Sequence, residues 1–167
     1  MLIDIGVNLS NDRFSGDVKN VLTSSWENGI RKLVLTGTSL QESKAVLDLL
    51  KKHERYFPEM LYATAGIHPH NAAEFCSTSI QSLRSLTANR GVVAIGETGL
   101  DFYRNLSSPK DQIKSFEAHL ELARETGLPL FMHEREASKQ QISLLKTYRS
   151  NFTKGVIHCF TGNRRTL

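Results

Sequence analysis

The chain has 167 residues, of which 40% are hydrophobic and 23% are charged, a composition typical of a soluble globular protein. No run approaches the roughly 18 apolar residues that a membrane-spanning helix needs, so no membrane partner is expected. The formal net charge of +4 mildly favours anionic partners such as nucleic acid, although many basic proteins bind nothing acidic. Cys76 and Cys159 form no spacing motif, which favours a reducing, cytoplasmic location, or a nuclear one in a eukaryote.

Six short apolar runs, rich in Val, Ile and Leu, are typical of strands that are buried on both faces of a parallel sheet. The first run opens the chain without a basic segment before it, which indicates a strand and not a signal peptide. The predicted strands are Leu2–Leu9, Lys32–Gly37, Leu61–Ile67, Val92–Glu97, Leu128–His133 and Gly155–Cys159.

Amphipathic segments separate these runs, and their apolar residues recur at helical spacing. The predicted helices are Asp17–Asn28, Gln41–His53, Ser79–Ala88, Pro109–Thr126 and Glu136–Tyr148. The fourth helix carries the strongest signals, because Ser108 is a predicted N-cap, Pro109 takes the first helical position and Gly127 ends the helix.

Strands and helices alternate with a period of roughly 30 residues, which predicts an α/β fold with a parallel sheet and right-handed crossovers. Two architectures fit this order, an open doubly wound sheet and a (β/α)8 TIM barrel. A complete barrel takes roughly 250 residues, so a barrel built from six parallel strands would be incomplete. No linker divides the chain, and residues 1–167 are predicted to form a single domain.

Polar side chains are concentrated where the predicted strands end, and in parallel α/β folds this edge of the sheet carries the function. The residues at or near these ends are Asp4, Asn8, His68, His70, Glu97, Asp101, His133, Arg135 and His158. Four of the six histidines belong to this set, and only His53 and His119 fall on predicted helices.

Glu97 is the residue that most needs an explanation, because it ends a very apolar strand and an unpaired buried carboxylate costs several kcal/mol. His133 and His158 end the next two strands, and adjacent strands would bring all three side chains together. One carboxylate and two imidazoles can hold a divalent metal. The alternatives are that each histidine is only structural, or that Glu97 pairs with Arg104 or Arg135.

Other polar residues are more ambiguous. Pro69 makes the turn at His68 and His70 rigid, and at least one of these histidines is expected to belong to the site. Cys159 is expected to face away from His158 and to pack, because side chains alternate along a strand. Asp4 and Asn8 either belong to the site or satisfy backbone groups. Arg164 and Arg165 either contact a phosphate or, as we favour, solvate a helix start.

The chain resembles the TatD family of metal-dependent deoxyribonucleases, which belong to the amidohydrolase-like TIM-barrel hydrolases. The resemblance rests on six motifs in order, which are DIGVNL, TGTSLQES, GIHPH, VVAIGETGLDFYRN, FMHER and VIHCFTG. They cover essentially the whole chain, and each lies at or near a predicted strand end.

This resemblance implies hydrolysis of DNA phosphodiester bonds by an exonuclease that acts on single-stranded ends, with Mg²⁺ as the expected metal and Mn²⁺ or Zn²⁺ as alternatives. Glu97, His133 and His158 are similar to the family's metal ligands. His68 resembles a residue that contacts the substrate or a water molecule on the metal. Arg135 resembles a phosphate contact, and Asp101 resembles a residue that supports the metal ligands.

Two departures from the family pattern qualify this expectation. Gly6 and Asn8 stand where many members have two metal-binding histidines. The branch that resembles TatD itself has the same replacement, which implies one tightly held metal or a second metal that is held more loosely. The family's late E-T-D-x-P segment has no counterpart, because no Asp follows Asp111. The chain is therefore expected to be C-terminally truncated, and to be weakly active or inactive. The alternative is a non-catalytic metal- or DNA-binding remnant that needs a partner, or self-association, to cover its open sheet edge.

Overall fold

The computed structural model describes residues 1–164, which form an α/β fold with six strands and five α-helices. The strands are β1 (Leu2–Val7), β2 (Ile30–Leu35), β3 (Leu61–Ala65), β4 (Val92–Asp101), β5 (Leu130–Arg135) and β6 (Gly155–His158). The helices are α1 (Val18–Glu27), α2 (Leu40–His53), α3 (Ser77–Thr87), α4 (Pro109–Thr126) and α5 (Ser138–Thr147). Short 3-10 turns span Asp12–Phe14, Pro69–Glu74 and Arg149–Asn151.

The sheet has a simple order, because its six strands are parallel and each is hydrogen-bonded to the next strand in the chain. A doubly wound sheet would reverse this order at a switch point, whereas a barrel keeps it. The sheet also curls, since a Cβ built on Gly6 of β1 would lie 3.5 Å from the ring of Phe131 of β5. The prediction of an incomplete TIM barrel is therefore confirmed, and the open doubly wound sheet is excluded.

Helix α4 shows how local sequence sets an element's bounds. The hydroxyl of Ser108 accepts a hydrogen bond from the backbone N–H of Asp111 at 3.2 Å, which caps the first turn. Gly127 ends the helix in the left-handed conformation. The predicted bounds are confirmed, and the buried stripe that includes Phe116 and Leu120 packs this helix onto β4.

Strand β4 contains a bulge at the residues that bracket Glu97. Its pairing with β5 shifts register between Ile95 and Thr98. Gly96 and Gly99 have φ angles of 141° and 125°, and a Cβ on either would collide with a backbone carbonyl of β5. Only glycine fits such a conformation against a neighbouring strand, so the G-E-T-G sequence allows a bulge that re-aims Glu97.

The prediction that all six strands are buried on both faces is wrong for the two edge strands. Strands β3, β4 and β5 are almost entirely buried, whereas Leu2, Ile3 and Ile5 of β1 and Val156 of β6 are exposed. Each edge strand has a pairing partner on one side only in the part of the chain that the structure describes. Among residues 1–164, no helix is long and apolar enough to cross a membrane.

Candidate active site

Three imidazoles converge on one carboxylate oxygen at the carboxyl edge of the sheet. His133 Nδ1 lies 3.2 Å from Glu97 Oε1, and His68 Nε2 lies 3.4 Å from the same atom. His158 Nε2 also contacts this oxygen. The convergence follows from the fold, because the parallel register places His133 beside His158 and the β4 bulge turns Glu97 towards both. Glu97 pairs with neither Arg104 nor Arg135 among the described residues, so that alternative is wrong.

Asp101, at the end of β4, forms a second centre beside the first. Its Oδ2 lies 2.7 Å from His70 Nε2 and 3.2 Å from His133 Nε2, and its Oδ1 accepts the backbone N–H of Arg104 at 2.8 Å. The two ring nitrogens of His133 thus face Glu97 and Asp101, which fixes the orientation of the imidazole. His70 belongs to the cluster as well, and the GIHPH turn therefore contributes both of its histidines.

The charge on Glu97 is maintained by its neighbours. Burial by itself would raise the pKa of Glu97, but hydrogen bonds from His133, His158 and His68 outweigh it and hold the pKa far below its usual range. Glu97 is therefore an anion at every pH at which the protein would work, and this buried anion is surrounded by nitrogen donors.

Burial has the opposite consequence for His68, whose pKa it lowers despite the hydrogen bond and charge of Glu97. The backbone N–H of His70 donates to His68 Nδ1 at 3.1 Å, so the neutral imidazole carries its proton on Nε2, facing Glu97. For Asp101, burial would raise the pKa, but the N–H of Arg104 and the side chain of His70 lower it overall. The cluster thus combines two carboxylates with a neutral imidazole.

Buried polar residues on the helices hold the strand ends in place, and the sequence reasoning did not identify them. His119 on α4 accepts the backbone N–H of Ile67 at 3.0 Å through Nε2, while its Nδ1 donates to Ser115 O at 2.7 Å. Full burial lowers the pKa of His119 to about 4, which keeps this imidazole neutral and able to accept. It therefore fixes the backbone that leads directly into His68.

Two glutamines act in the same way on β4. Gln112 accepts the N–H of Asp101 at 2.8 Å, and Gln141 accepts the N–H of Leu100 at 3.1 Å. The signal for such residues was present in the sequence, because Gln112 and His119 lie seven residues apart on the apolar face of a predicted helix. A polar residue on a buried face needs a partner, and these partners are the backbone groups beside the site.

Glu134 joins the ends of β5 and β6 and was not predicted to matter. It is buried, and its carboxylate accepts the backbone N–H groups of Ala137 and Thr161, each at 2.8 Å. Thr161 follows His158 by three residues, so this contact anchors the chain that leaves β6. Glu134 thereby supports the position of His158.

Arg135 lies at this edge of the sheet, in register with Asp101, and its guanidinium contacts Tyr103. The Cζ atom stacks over the ring of Tyr103 at 4.2 Å from the ring centroid, and no carboxylate pairs with it among residues 1–164. A role as phosphate contact stays a prediction. The structure does show an unneutralised cation next to the cluster.

The remaining candidates differ from the expectations in part. Cys159 is exposed with a φ of 53°, and its Sγ lies 3.6 Å from His158 Nδ1, so the expectation that it packs on the opposite face is wrong. The positive φ interrupts the strand alternation on which that expectation relied. Asn8 is exposed and accepts a hydrogen bond from Ser10 at 3.3 Å. Arg164 is the last described residue, and Arg165 lies outside the described residues.

The donor set fits a divalent metal. Single ligand atoms of His68, Glu97 and His133 all lie within 4.8 Å of one another, and the same holds for His133, His158 and Cys159. Imidazole nitrogens and a carboxylate are the ligand types that proteins use for such ions. His133 belongs to both groups, whereas Glu97 and His158 fall in different ones. Binding of one metal by Glu97, His133 and His158 stays a prediction.

A curled, all-parallel sheet with its polar cluster at the carboxyl ends of the strands defines the TIM-barrel class. Within that class, residues 3–167 match the family model described as TatD related DNase. The chain therefore belongs to the TatD family.

Curated relatives agree with this assignment. The chain is 44% identical over 166 residues to a protein of Edwardsiella piscicida named 3'-5' ssDNA/RNA exonuclease TatD, and 43% identical to the protein of the same name from Erwinia amylovora. Both alignments cover 99% of this chain and 62% of the relative. The chain thus spans less than two thirds of the length of these relatives.

Solved structures show the same fold. A TatD family hydrolase from Entamoeba histolytica superposes with a TM-score of 0.90 at 29% identity, over 99% of this chain and 60% of that protein. A TatD homologue from Escherichia coli K12 superposes with a TM-score of 0.87 at 27% identity, over 99% of this chain and 62% of that one. The incomplete barrel of this chain therefore corresponds to about 60% of each of these longer proteins.

Proposed function

We propose that this chain is part of a metal-dependent deoxyribonuclease that removes nucleotides from single-stranded DNA ends. The observation that carries the proposal is the convergence of three imidazoles on the buried Glu97 carboxylate at the carboxyl edge of the sheet. The names of the curated relatives support exonuclease activity on single-stranded nucleic acid.

The residues of the cluster would divide the work between them. Glu97, His133 and His158 would hold the metal, which supplies positive charge to a phosphate oxygen and lowers the pKa of a water molecule when bound. Asp101 would keep the His133 ring in its binding orientation, as supporting carboxylates do in other metal sites. His68, neutral and beside Glu97, would hydrogen-bond the substrate, and Arg135 would contact a phosphate.

The identity of the metal is a separate proposal. The family resemblance favours Mg²⁺, but a donor set of several imidazoles and one carboxylate is better suited to Mn²⁺ or Zn²⁺ than to Mg²⁺, which prefers oxygen ligands. We therefore propose a divalent site at which Mg²⁺ is the physiological candidate and at which Mn²⁺ or Zn²⁺ bind more tightly.

Activity of the 167-residue chain itself is expected to be weak or absent. Residues 1–167 contain no Asp after Asp111, and a late Asp that acts as general base would contribute about 10²–10⁴-fold. The exposed apolar side chains of β1 and β6 favour the alternative function, a metal- or DNA-binding remnant that needs a partner chain to cover its edges.

Titration calorimetry with Mn²⁺ and Zn²⁺ tests the site directly, with cleavage of an end-labelled single-stranded oligonucleotide in Mg²⁺ as the second measurement. We expect Glu97→Gln to abolish metal binding and any cleavage. The matched control is Glu27→Gln, which removes a carboxylate from the exposed surface of α1 and should change neither. Equal metal binding by wild type and Glu97→Gln would refute the proposed centre.

We also propose a cytoplasmic location, or a nuclear one in a eukaryote. The support is chemical, because Cys76 and Cys159 are both free and exposed, and free thiols persist in reducing compartments.

A further inference from the structure

Tyr103 is an exposed aromatic residue beside the candidate site. It lies two residues beyond Asp101, whose carboxylate contacts His70 and His133, and 64% of the residue is accessible to solvent. Among residues 1–164, Met1 and Leu106 are the large apolar residues that are more exposed than Tyr103, and an aromatic ring offers a large face to a binding partner. The residue that carries this exposed ring is therefore separated by one residue from a carboxylate of the cluster.

The backbone that carries Tyr103 is fixed rather than loose. The carboxylate of Asp101 accepts the N–H of Arg104 at 2.8 Å, which closes a turn around Tyr103. The buried Gln112 side chain donates to Asp101 O at 3.1 Å and to Ser107 O at 2.8 Å, so it ties both ends of this segment to α4. An exposed ring on such a tethered turn is pre-organised, which lowers the entropy cost of binding to it.

Arg135 covers one face of this ring. Its guanidinium carbon lies 4.2 Å from the ring centroid, in the position of a cation–π contact, and the backbone carbonyl of Arg135 accepts the N–H of Phe102 at 3.0 Å. Because no carboxylate neutralises Arg135 among the described residues, its charge is available to an anion. An aromatic face and an unpaired cation thus form one unit at the edge of the cluster.

We propose that Tyr103 is a stacking platform for a nucleobase of single-stranded DNA, with Arg135 holding the adjoining phosphate, and this rests on the proposed function. Bases of a single strand stack on aromatic side chains with little dependence on sequence, while cations nearby follow the backbone. Tyr103 is accordingly a binding residue that selects unpaired ends, because a base within a duplex does not offer its face.

Fluorescence anisotropy with a labelled single strand tests the proposal, in EDTA so that the probe is not cleaved. We expect Tyr103→Ala to weaken binding by about 5- to 100-fold and Tyr103→Phe to bind within about twofold of wild type, because stacking needs the ring and not the hydroxyl. The matched control is Tyr56→Ala, since Tyr56 is 59% exposed and also lies under a cation, Lys19, but follows α2, away from the carboxyl edge of the sheet.

A second probe has the same length and charge but lacks the bases. It distinguishes binding through the bases from binding through the sugar–phosphate backbone. Wild type and Tyr103→Ala should bind this abasic strand equally. The stacking role would be overturned if wild type and Tyr103→Ala bound the normal strand with equal affinity. It would also be overturned if Tyr103→Ala weakened binding to the abasic strand as much as binding to the normal strand. Both outcomes would leave the nuclease proposal intact. A wild-type chain that binds neither strand in EDTA would also overturn the stacking role, whereas the nuclease proposal depends on the metal titration of wild type and Glu97→Gln.

Discussion

The central and edge strands of the sheet have equally apolar sequences and opposite surroundings. Ile95 of β4 is fully buried, whereas Ile5 of β1 is 48% exposed. Strand β4 is hydrogen-bonded on both sides and covered by α4, while β1 is paired only with β2 in the described part of the chain. Apolar composition therefore predicts a strand, but the neighbours decide whether that strand is buried.

The same contrast runs through the candidate site. The side chains of Glu97 and His133, on the central strands, are each 8% exposed, whereas that of His158, on the edge strand β6, is 35% exposed. Glu97 and His133 are also supported by Asp101 and the β4 bulge, while His158 relies on Glu134 and the chain that follows it. The site is rigid at its centre and more open at its edge.

The largest expected effect comes from a side chain added at the bulge. Gly99→Ala should destabilise the protein by more than about 4 kcal/mol, because the new Cβ would collide with the carbonyl of His133 on β5. Urea unfolding followed by circular dichroism measures this change.

Gly29→Ala is the matched control for this substitution. Gly29 also has a positive φ, 87°, but nothing lies within 4 Å of the added Cβ. The free energy of unfolding of this variant should therefore fall by only about 1 kcal/mol. Similar losses in the two variants would mean that the bulge is not held against β5 as described.

Local signals explain what the sequence predicted well. The bounds of α4 followed from Ser108, Pro109 and Gly127, each of which acts on its own turn of backbone. The meeting of Glu97 with His133 and His158 could be predicted because parallel strands end at one edge of a sheet, and only a neighbour relation was needed.

Non-local geometry explains what the sequence did not predict. The contact of His119 with Ile67 spans 52 residues, and no local pattern indicates it. Arg135 stacks on Tyr103, and Cys159 has a positive φ. Both features depend on local side-chain and backbone conformations, which the order of the strands does not determine. Burial of β1 depends on what lies beside it, which its own residues do not encode.

The next largest effect is a loss of stability in mild acid, caused by His119 in the buried centre. Its pKa is about 4 in the folded protein, whereas an ordinary histidine has a pKa of 6.5, so the unfolded chain binds a proton first as the pH falls. Stability should therefore be full above about pH 6.5 and fall by about 3 kcal/mol towards pH 4. The lowered pKa of His68 acts in the same direction.

Urea unfolding of wild type and His119→Gln at pH 7.5 and pH 5 checks this pH dependence. Glutamine keeps an acceptor for Ile67 and does not titrate, so the variant should lose much less stability between the two pH values. The lowered pKa values of Glu97 and Asp101 make the free energy of unfolding depend on pH mainly below about pH 4.5, which is outside the range compared here. The same pH dependence in both proteins would contradict the assignment to His119.

The smallest expected effect on stability comes from a charge placed on β1. This substitution tests the exposed edge strand of the sheet. Ile5→Lys should change the free energy of unfolding by less than about 0.5 kcal/mol, because Ile5 is half exposed. It should nevertheless shift the protein from associated species to monomer in sedimentation velocity, since a lysine on an edge strand opposes pairing with another chain. Gln81→Lys adds the same charge on the exposed face of α3 and should leave association unchanged. A wild-type protein that sediments as a monomer at every concentration would show that the exposed strand does not drive self-association.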